Sequence, residues 1–445
     1  MSDPGHDAAH AELIRRARAV LDRNRAGAYT CPSVRLYPHQ WLWDSCFTAI
    51  GIARFDAPRA ADELRALFRG QWDNGMLPHM IFADGSRDIG SRRVWRSRTR
   101  AGAPRDVSTT CITQPPLVAI AIERVAAALP TNERDAFIAE LGPKVLAHHR
   151  WLFRERRLDG SPLITLIHPW ECGLDSTPPW MHALAAMRMP WWLRVAERLR
   201  LAPLLRSLRY DTRQLPAGER ASDDDGLRML ALAIHLSHHD FDLARIPHDD
   251  RAVLVEDVAF NAFFAAANQS LRALVDDVGD LDPLIDAQAD ALELLWHPPT
   301  REYCSRHAVT HEPLSDRTIA TFLPLLTTGA HVDELLARLR DPAIYWPPYP
   351  VPSVPLEARH FQDHRYWAGP TWVNTNWAIV QGLRKQGHDD LADDLRDRTL
   401  RMVEESGFAE YFSATTGTAH GASEFSWTAA LTVELSYDSS SSRSA

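Results

Sequence analysis

No stretch of the 445-residue chain approaches the roughly 18 uninterrupted apolar residues that a membrane-spanning helix needs, so a membrane partner is not expected. The N-terminus is amphipathic and lacks an apolar h-region, so no secretory signal is read there. Cysteine is scarce: five residues (31, 46, 111, 172 and 304), an odd number, scattered, with no CxxC pair. This pattern speaks against a disulfide framework and a zinc site and fits reduced thiols in the cytoplasm. There is no Gly-rich phosphate loop and no GxSxG elbow, which leaves phosphoryl transfer and serine hydrolysis without support. A net charge of −9 makes nucleic acid an unsuitable partner. Alternating strand patterns are nearly missing, and no Gly-, Pro- or Ser-rich linker divides the chain. One domain over residues 1–436 is therefore expected, with a low-complexity, disordered tail at 437–445.

What the chain has instead is helical periodicity and tryptophan. Apolar residues recur at i, i+3, i+4 and i+7 over 8–24, 57–69, 115–129, 132–156, 181–201 and 223–239. They do so again over 250–276, 318–327, 331–340, 372–386, 389–405 and 426–436. About a dozen helices in one domain predict an all-α fold, a closed double ring of helical hairpins whose end loops build a cleft. Short hairpins near 30–37, 161–167 and 300–308 suffice for rim decoration only. Fifteen tryptophans exceed what a core alone requires, and a pocket that stacks on sugar rings would use many of them.

Acidic and aromatic residues concentrate at predicted helix ends. The clusters are YPHQWLWDS (37–45) with GQWDNGMLPHM (70–80), STTCITQPP (108–116), LIHPWECGLDSTPPW (166–180), and YWAGPTWVNTNW (366–377) with EYF (410–412) and HGASEFSW (420–427). Glycosidic cleavage needs two carboxyl groups, one protonated towards the leaving oxygen and one ionised towards water or the anomeric carbon. Carboxylates set among Trp and Tyr provide both those groups and flat faces for a sugar. Asp44 on its own could also serve as a helix N-cap, the lesser of its two readings. Asp175 and Glu424 each sit beside Gly and Trp in an apolar, non-helical context, and they are the candidate catalytic pair.

These runs, in order from about residue 37 to 431, resemble glycoside hydrolase family 63, most of all its bacterial members acting on mannosylglycerate and glucosylglycerate. The resemblance implies an (α/α)6 barrel and an inverting, exo-acting α-glycosidase without metal or organic cofactor. Its PWE-x-G-x-D motif makes Asp175 the general acid, and the Glu before F-S-W-T-A-A-L makes Glu424 the general base. It places Trp43 and Asp44 on the −1 sugar, with Gln114 of the TQPP run. It makes Tyr366, Trp367 and Trp372 a wall of the cleft and Tyr37, Trp41, His79 and Trp170 further lining residues. Glu171 would accept sugar hydroxyls or hold its loop, with an exchange of roles with Asp175 left open. Two departures bear on specificity: the family's D-N-S-P-x-W-D is here Asp175-Ser176-Thr177-Pro178-Pro179-Trp180-Met181, and its YWRGP has Ala368 in place of Arg. The expected partner is a small carbohydrate, neutral or anionic, with glucosylglycerate as first expectation.

Residues 87–105 carry seven Arg against one Asp. They read either as a solvated loop or as a lid whose Arg92, Arg93 or Arg96 would hold an anionic aglycone. His235, His238 and His239, and the HHRW run at 148–151, read as helix faces rather than metal sites. Two other functions stay open: a trehalase-type enzyme on neutral di- or oligosaccharides, and a non-hydrolytic sugar-binding or lyase/isomerase barrel.

Overall fold

The computed structural model describes residues 4–83, 94–198 and 216–438. The helices are α1 (Pro4–Arg23), α2 (Leu42–Ala53), α3 (Ala57–Phe68), α4 (Val118–Ala128), α5 (Thr131–Glu155), α6 (Pro178–Ala186) and α7 (Trp191–Arg198). They continue with α8 (Asp223–His238), α9 (Val258–Leu274), α10 (Asp282–Asp290), α11 (Val332–Leu339), α12 (Val373–Lys385), α13 (Asp389–Ser406) and α14 (Ser426–Tyr437).

Six elements close on one another as an inner ring in the order α2, α4, α9, the 3-10 helix Ile319–Leu326, α12, α14 and back to α2. An outer helix covers each: α1 on α14, α3 on α2, α5 on α4 and α9, α10 on α9, α11 on the 3-10 helix, α13 on α12 and α14. The fold is an (α/α)6 barrel. Burial separates the layers. Every residue of α2 and of the 3-10 helix is buried, whereas outer α13 buries only a stripe led by Leu391, Leu395, Met402 and Val403. At Gly51 of α2 an added Cβ would lie 2.1 Å from the Ala430 carbonyl oxygen, so the approach of α2 to α14 there requires glycine.

The all-round burial of α2 explains why periodicity does not reveal it: LWDSCFTAIGIA has no polar stripe to set a phase. The helix expected over 181–201 is instead two, α6 and α7, separated around Pro190, whose ring fixes φ and whose nitrogen donates nothing. The one expected from 250 begins at Val258, because Val255–Glu256 pairs as a strand and Asp257 caps the helix by accepting from the Phe260 amide.

The segments entering the inner helices are stitched together at one end of the barrel. Gln40–Trp41 pairs antiparallel with Met80–Ile81, and Thr165–Leu166 with Val255–Glu256. Thr371 bridges Pro352 on one side and Phe412 on the other. The aromatic and acidic clusters are thereby delivered to a common rim. No described helix is long and apolar enough to cross a membrane, and all five cysteines are buried and free.

Candidate active site

Two aromatic walls stand at that rim. On one, Tyr37 meets Trp41 edge-on at 5.8 Å, Trp41 meets His79 at 4.7 Å, and His79 stacks over Trp170 at 6.4 Å. On the other, Trp43 lies 6.3 Å from Trp367, which stacks on Trp372 at 3.8 Å, and Trp372 stacks on Tyr411 at 4.6 Å. The loop bearing Asp175 crosses Trp43 at Gly173. A Cβ there would sit 2.5 Å from the indole, and φ of +76° is open chiefly to glycine.

Asp175, partly buried, follows the 3-10 turn Pro169–Glu171 and precedes α6. Glu410 is buried in the hairpin Tyr411–Phe412/Ala419–His420, and both its oxygens are bonded. Arg220 donates to Oε1 at 3.2 Å and to Oε2 at 3.0 Å, the Tyr37 hydroxyl to Oε1 at 3.0 Å, and the Ala422 amide to Oε2 at 2.9 Å. The Arg220 guanidinium also lies over the rings of Tyr366, at 4.7 Å, and Tyr37, at 5.4 Å. Tyr366 faces both carboxylates: burial first, then the charges of Asp175 and Glu410, push its phenol well above the usual range. Asp44 at the start of α2 is buried, and desolvation followed by the Glu410 charge pushes its carboxyl well up as well. Asp175 and Glu410 thus both act on Tyr366, and Glu410 acts on Asp44 as well.

Glu424 does not join them. It stands just before α14 with φ of +53°, its side chain is 55% exposed, and its carboxylate lies 2.6 Å from Arg23 of α1. The left-handed turn throws this side chain to the exterior, and the hairpin before it carries Glu410 inward. The glutamate of this cluster that is buried beside Tyr37 and Arg220 is Glu410, fourteen residues earlier.

Glu171 is fully buried and engaged: Arg156 is 2.8 Å away, and the amides of Thr113 and Ile167 donate to it at 3.2 and 2.8 Å. It holds its loop to the TQPP segment and is not open to a sugar. Gln114 accepts from the Trp43 amide at 3.3 Å, which fixes the start of α2. Burial, with His168 beside it, lowers His79 to about 3, so its imidazole is neutral. Trp41 Nε1, His79 Nδ1, Ser176 Oγ, Trp367 Nε1 and the Asn374 amide are buried without a hydrogen-bond partner among the described residues. Unsatisfied polar atoms collected beside a cleft are the groups a polyhydroxylated ligand would satisfy. Asn374 belongs to the 366–377 cluster without having been singled out there, whereas Arg220 has no aromatic setting in the sequence and only tertiary packing brings it here.

Ser176, Met181 and Ala368, the positions that depart from the family motifs, line one cavity of about 160 Å³ together with Pro178, His182 and His360. Arg92 and Arg93 fall outside the described residues. Arg96 is exposed, Arg100 pairs with Asp240 at 2.5 Å, and Trp95 lies 6.1 Å from Trp170. His235 and His239 have rings 4.9 Å apart near the end of α8.

Residues 37–428 match the model of the mannosylglycerate hydrolase MGH1-like glycoside hydrolase domain. The mannosylglycerate hydrolase of Thermus thermophilus is 36% identical over 432 residues, covering 94% of this chain and 98% of the relative. The glucosylglycerate hydrolase of Mycolicibacterium hassiacum is 32% identical, covering 95% and 97%. The crystal structure of a family 63 mannosylglycerate hydrolase from Thermus thermophilus, in complex with Tris and D-glycerate, superposes with a TM-score of 0.84 at 34% identity, covering 95% and 99%.

Proposed function

The chain belongs to the MGH1-like glycoside hydrolases of family 63, and from that premise we propose that it hydrolyses an α-glycoside of glycerate with inversion, using Asp175 as general acid and Glu410 as general base. The observation that carries the reading is that both carboxylates bear on Tyr366, and that Glu410 is clamped by Arg220, Tyr37 and a backbone amide.

Asp175 protonates the glycosidic oxygen as the bond to the anomeric carbon lengthens. Glu410, oriented from behind by Arg220, removes a proton from a water that attacks the opposite ring face. Inversion needs room for that water, so the two carboxyl groups should stand roughly 6.5–9.5 Å apart. Asp44, held towards its protonated form, can donate as well as accept, and with the unpartnered Trp41, Trp367 and Asn374 groups it would grip sugar hydroxyls. Neutral His79 and Trp170 form the facing wall. Relatives at similar identity carry the names of both mannosyl- and glucosylglycerate hydrolases; glucosylglycerate is our first expectation here.

A second reading, a neutral or bulkier aglycone, is favoured by the cavity at Ser176, Met181 and Ala368. Side chains of the family's Asn, Asp and Arg would occupy such space, where Ser176, Met181 and Ala368 are smaller or uncharged, although Asp225 and Arg365 also line it. Sugar release from glucosylglycerate, mannosylglycerate, trehalose, maltose and kojibiose, with Asp175→Asn and Glu410→Gln as controls, separates the two. Turnover confined to glycerate glycosides supports the first, and turnover confined to neutral sugars supports the second. The first-formed anomer, followed by proton NMR, must be inverted. Retention would refute the mechanism.

A further inference from the structure

His182 lies on α6, seven residues beyond Asp175, and half of its side chain is exposed. Its Nδ1 is 2.6 Å from Oδ2 of Asp316, which belongs to the segment leading into the 3-10 helix Ile319–Leu326. A second imidazole, His360, comes from the loop before the Tyr366–Trp367 wall, its ring 4.9 Å from that of His182. The three potential ligand atoms all lie within 4.8 Å of one another.

We propose that His182, Asp316 and His360 form a binding site for a divalent metal ion of the zinc class. Two imidazoles and one carboxylate are borderline ligands that suit zinc and its transition-metal neighbours rather than magnesium or calcium. Zinc bonds of about 2.0–2.2 Å in a tetrahedron place neighbouring ligand atoms about 3.4 Å apart, and small rotations of these surface side chains reach that spacing. A His–Asp ion pair alone accounts for two of the groups but gives no role to the second imidazole.

The surroundings permit a cation. Arg317, next to Asp316, is engaged with Glu357 at 2.5 Å and Glu302 at 3.4 Å. His182 and His360 both line the cavity at Ser176 and Ala368, so a fourth coordination position left to water or a ligand would be near it. A bound ion would brace α6, which follows the acid loop, against the loop that precedes the aromatic wall. The sequence pattern gives no warning of such a site, because the three residues lie on segments separated by 134 and 44 positions (316 − 182 and 360 − 316).

The test is titration of metal-stripped full-length protein with Zn²⁺ by calorimetry, and with Co²⁺ by visible absorption. One equivalent per chain is expected, with the intense d–d bands of four-coordinate cobalt. Removing a ligand by His360→Ala or Asp316→Asn should weaken Zn²⁺ binding about tenfold or more, since even outer-sphere partners of a metal site are worth that much. His239→Ala, in the histidine pair at the end of α8, should leave binding unchanged. Absence of binding, equal affinity in the His360→Ala and Asp316→Asn proteins, or loss on His239→Ala would each overturn the proposal. Circular dichroism of the metal-free variants confirms that a loss of affinity is not a loss of fold.

Discussion

Arg220 reaches both oxygens of Glu410, 3.2 Å to Oε1 and 3.0 Å to Oε2, from a position 190 residues away in the chain. Both side chains are almost fully buried, 3% and 2% exposed. A bidentate fork fixes the plane of the carboxylate as well as its place, which suits a group that must present one lone pair to a water.

Glu410→Gln should lower kcat by about 10²–10⁴-fold, the usual worth of a general base, with KM little changed. Glu424→Gln, whose carboxylate meets Arg23 at the surface, should stay within about twofold of the parent, as exposed pairs contribute little. The reverse outcome in steady-state kinetics would restore the base to Glu424.

Asp175→Asn should cost a similar factor on glycosides with poor leaving groups and far less on the corresponding glycosyl fluoride, whose departure needs no proton. Equal losses on both substrates would remove Asp175 from the acid role.

Gly173→Ala forces a methyl to within 2.5 Å of the Trp43 ring at φ of +76°. A loss of about 1–3 kcal/mol in urea denaturation is expected, together with a fall in kcat as the acid loop shifts.

Glu171 and Arg156 are a buried pair, 0% and 2% exposed. Arg156→Met leaves a carboxylate uncompensated in the interior and should destabilise by about 3–5 kcal/mol, whereas loss of sugar contacts alone would leave the denaturation midpoint in place.

Burial lowers His79 to about 3, and His149 and His168 to about 4, from an ordinary 6.5. The unfolded chain therefore binds more protons than the folded one below pH 6.5, and these groups cost stability as pH falls from there towards 3. Glu63 and Glu302, raised by burial to about 7, act oppositely between pH 4.5 and 7, since acid spares the fold a buried charge. Denaturation midpoints should thus fall most steeply below about pH 4.5, where Glu63 and Glu302 no longer offset the histidines and the lowered carboxyl of Asp249, held down by Arg251, acts in the same direction. His149→Gln should flatten that limb, and an unchanged slope would exclude the histidines as its cause.

The outer helices and the cleft segments were legible because their signals are local. A helix with one buried face repeats every 3.6 residues, and Trp, Tyr and Asp crowd together where a chain must meet a sugar. The core of the barrel was less so: α2 has no polar face to mark its period, and only the ring that surrounds it makes it a helix. Pro190 and Pro324 show the limits of periodicity too, since apolar spacing continues through both while the backbone breaks at one and tightens to a 3-10 turn at the other.

Composition and pattern by themselves determined an all-helical chain with its aromatic and acidic residues gathered at helix ends; the parts proposed for Asp44 and the tryptophan walls came from the family resemblance. Which glutamate is buried and which exposed was decided by the left-handed φ at Glu424 and by the hairpin that turns Glu410 inward. That Glu171 is a strut, that Arg220 backs Glu410, and that His182, Asp316 and His360 meet are likewise tertiary facts. Burial and charge pairing depend on what packs from distant parts of the chain, and no window of neighbouring residues contains that information.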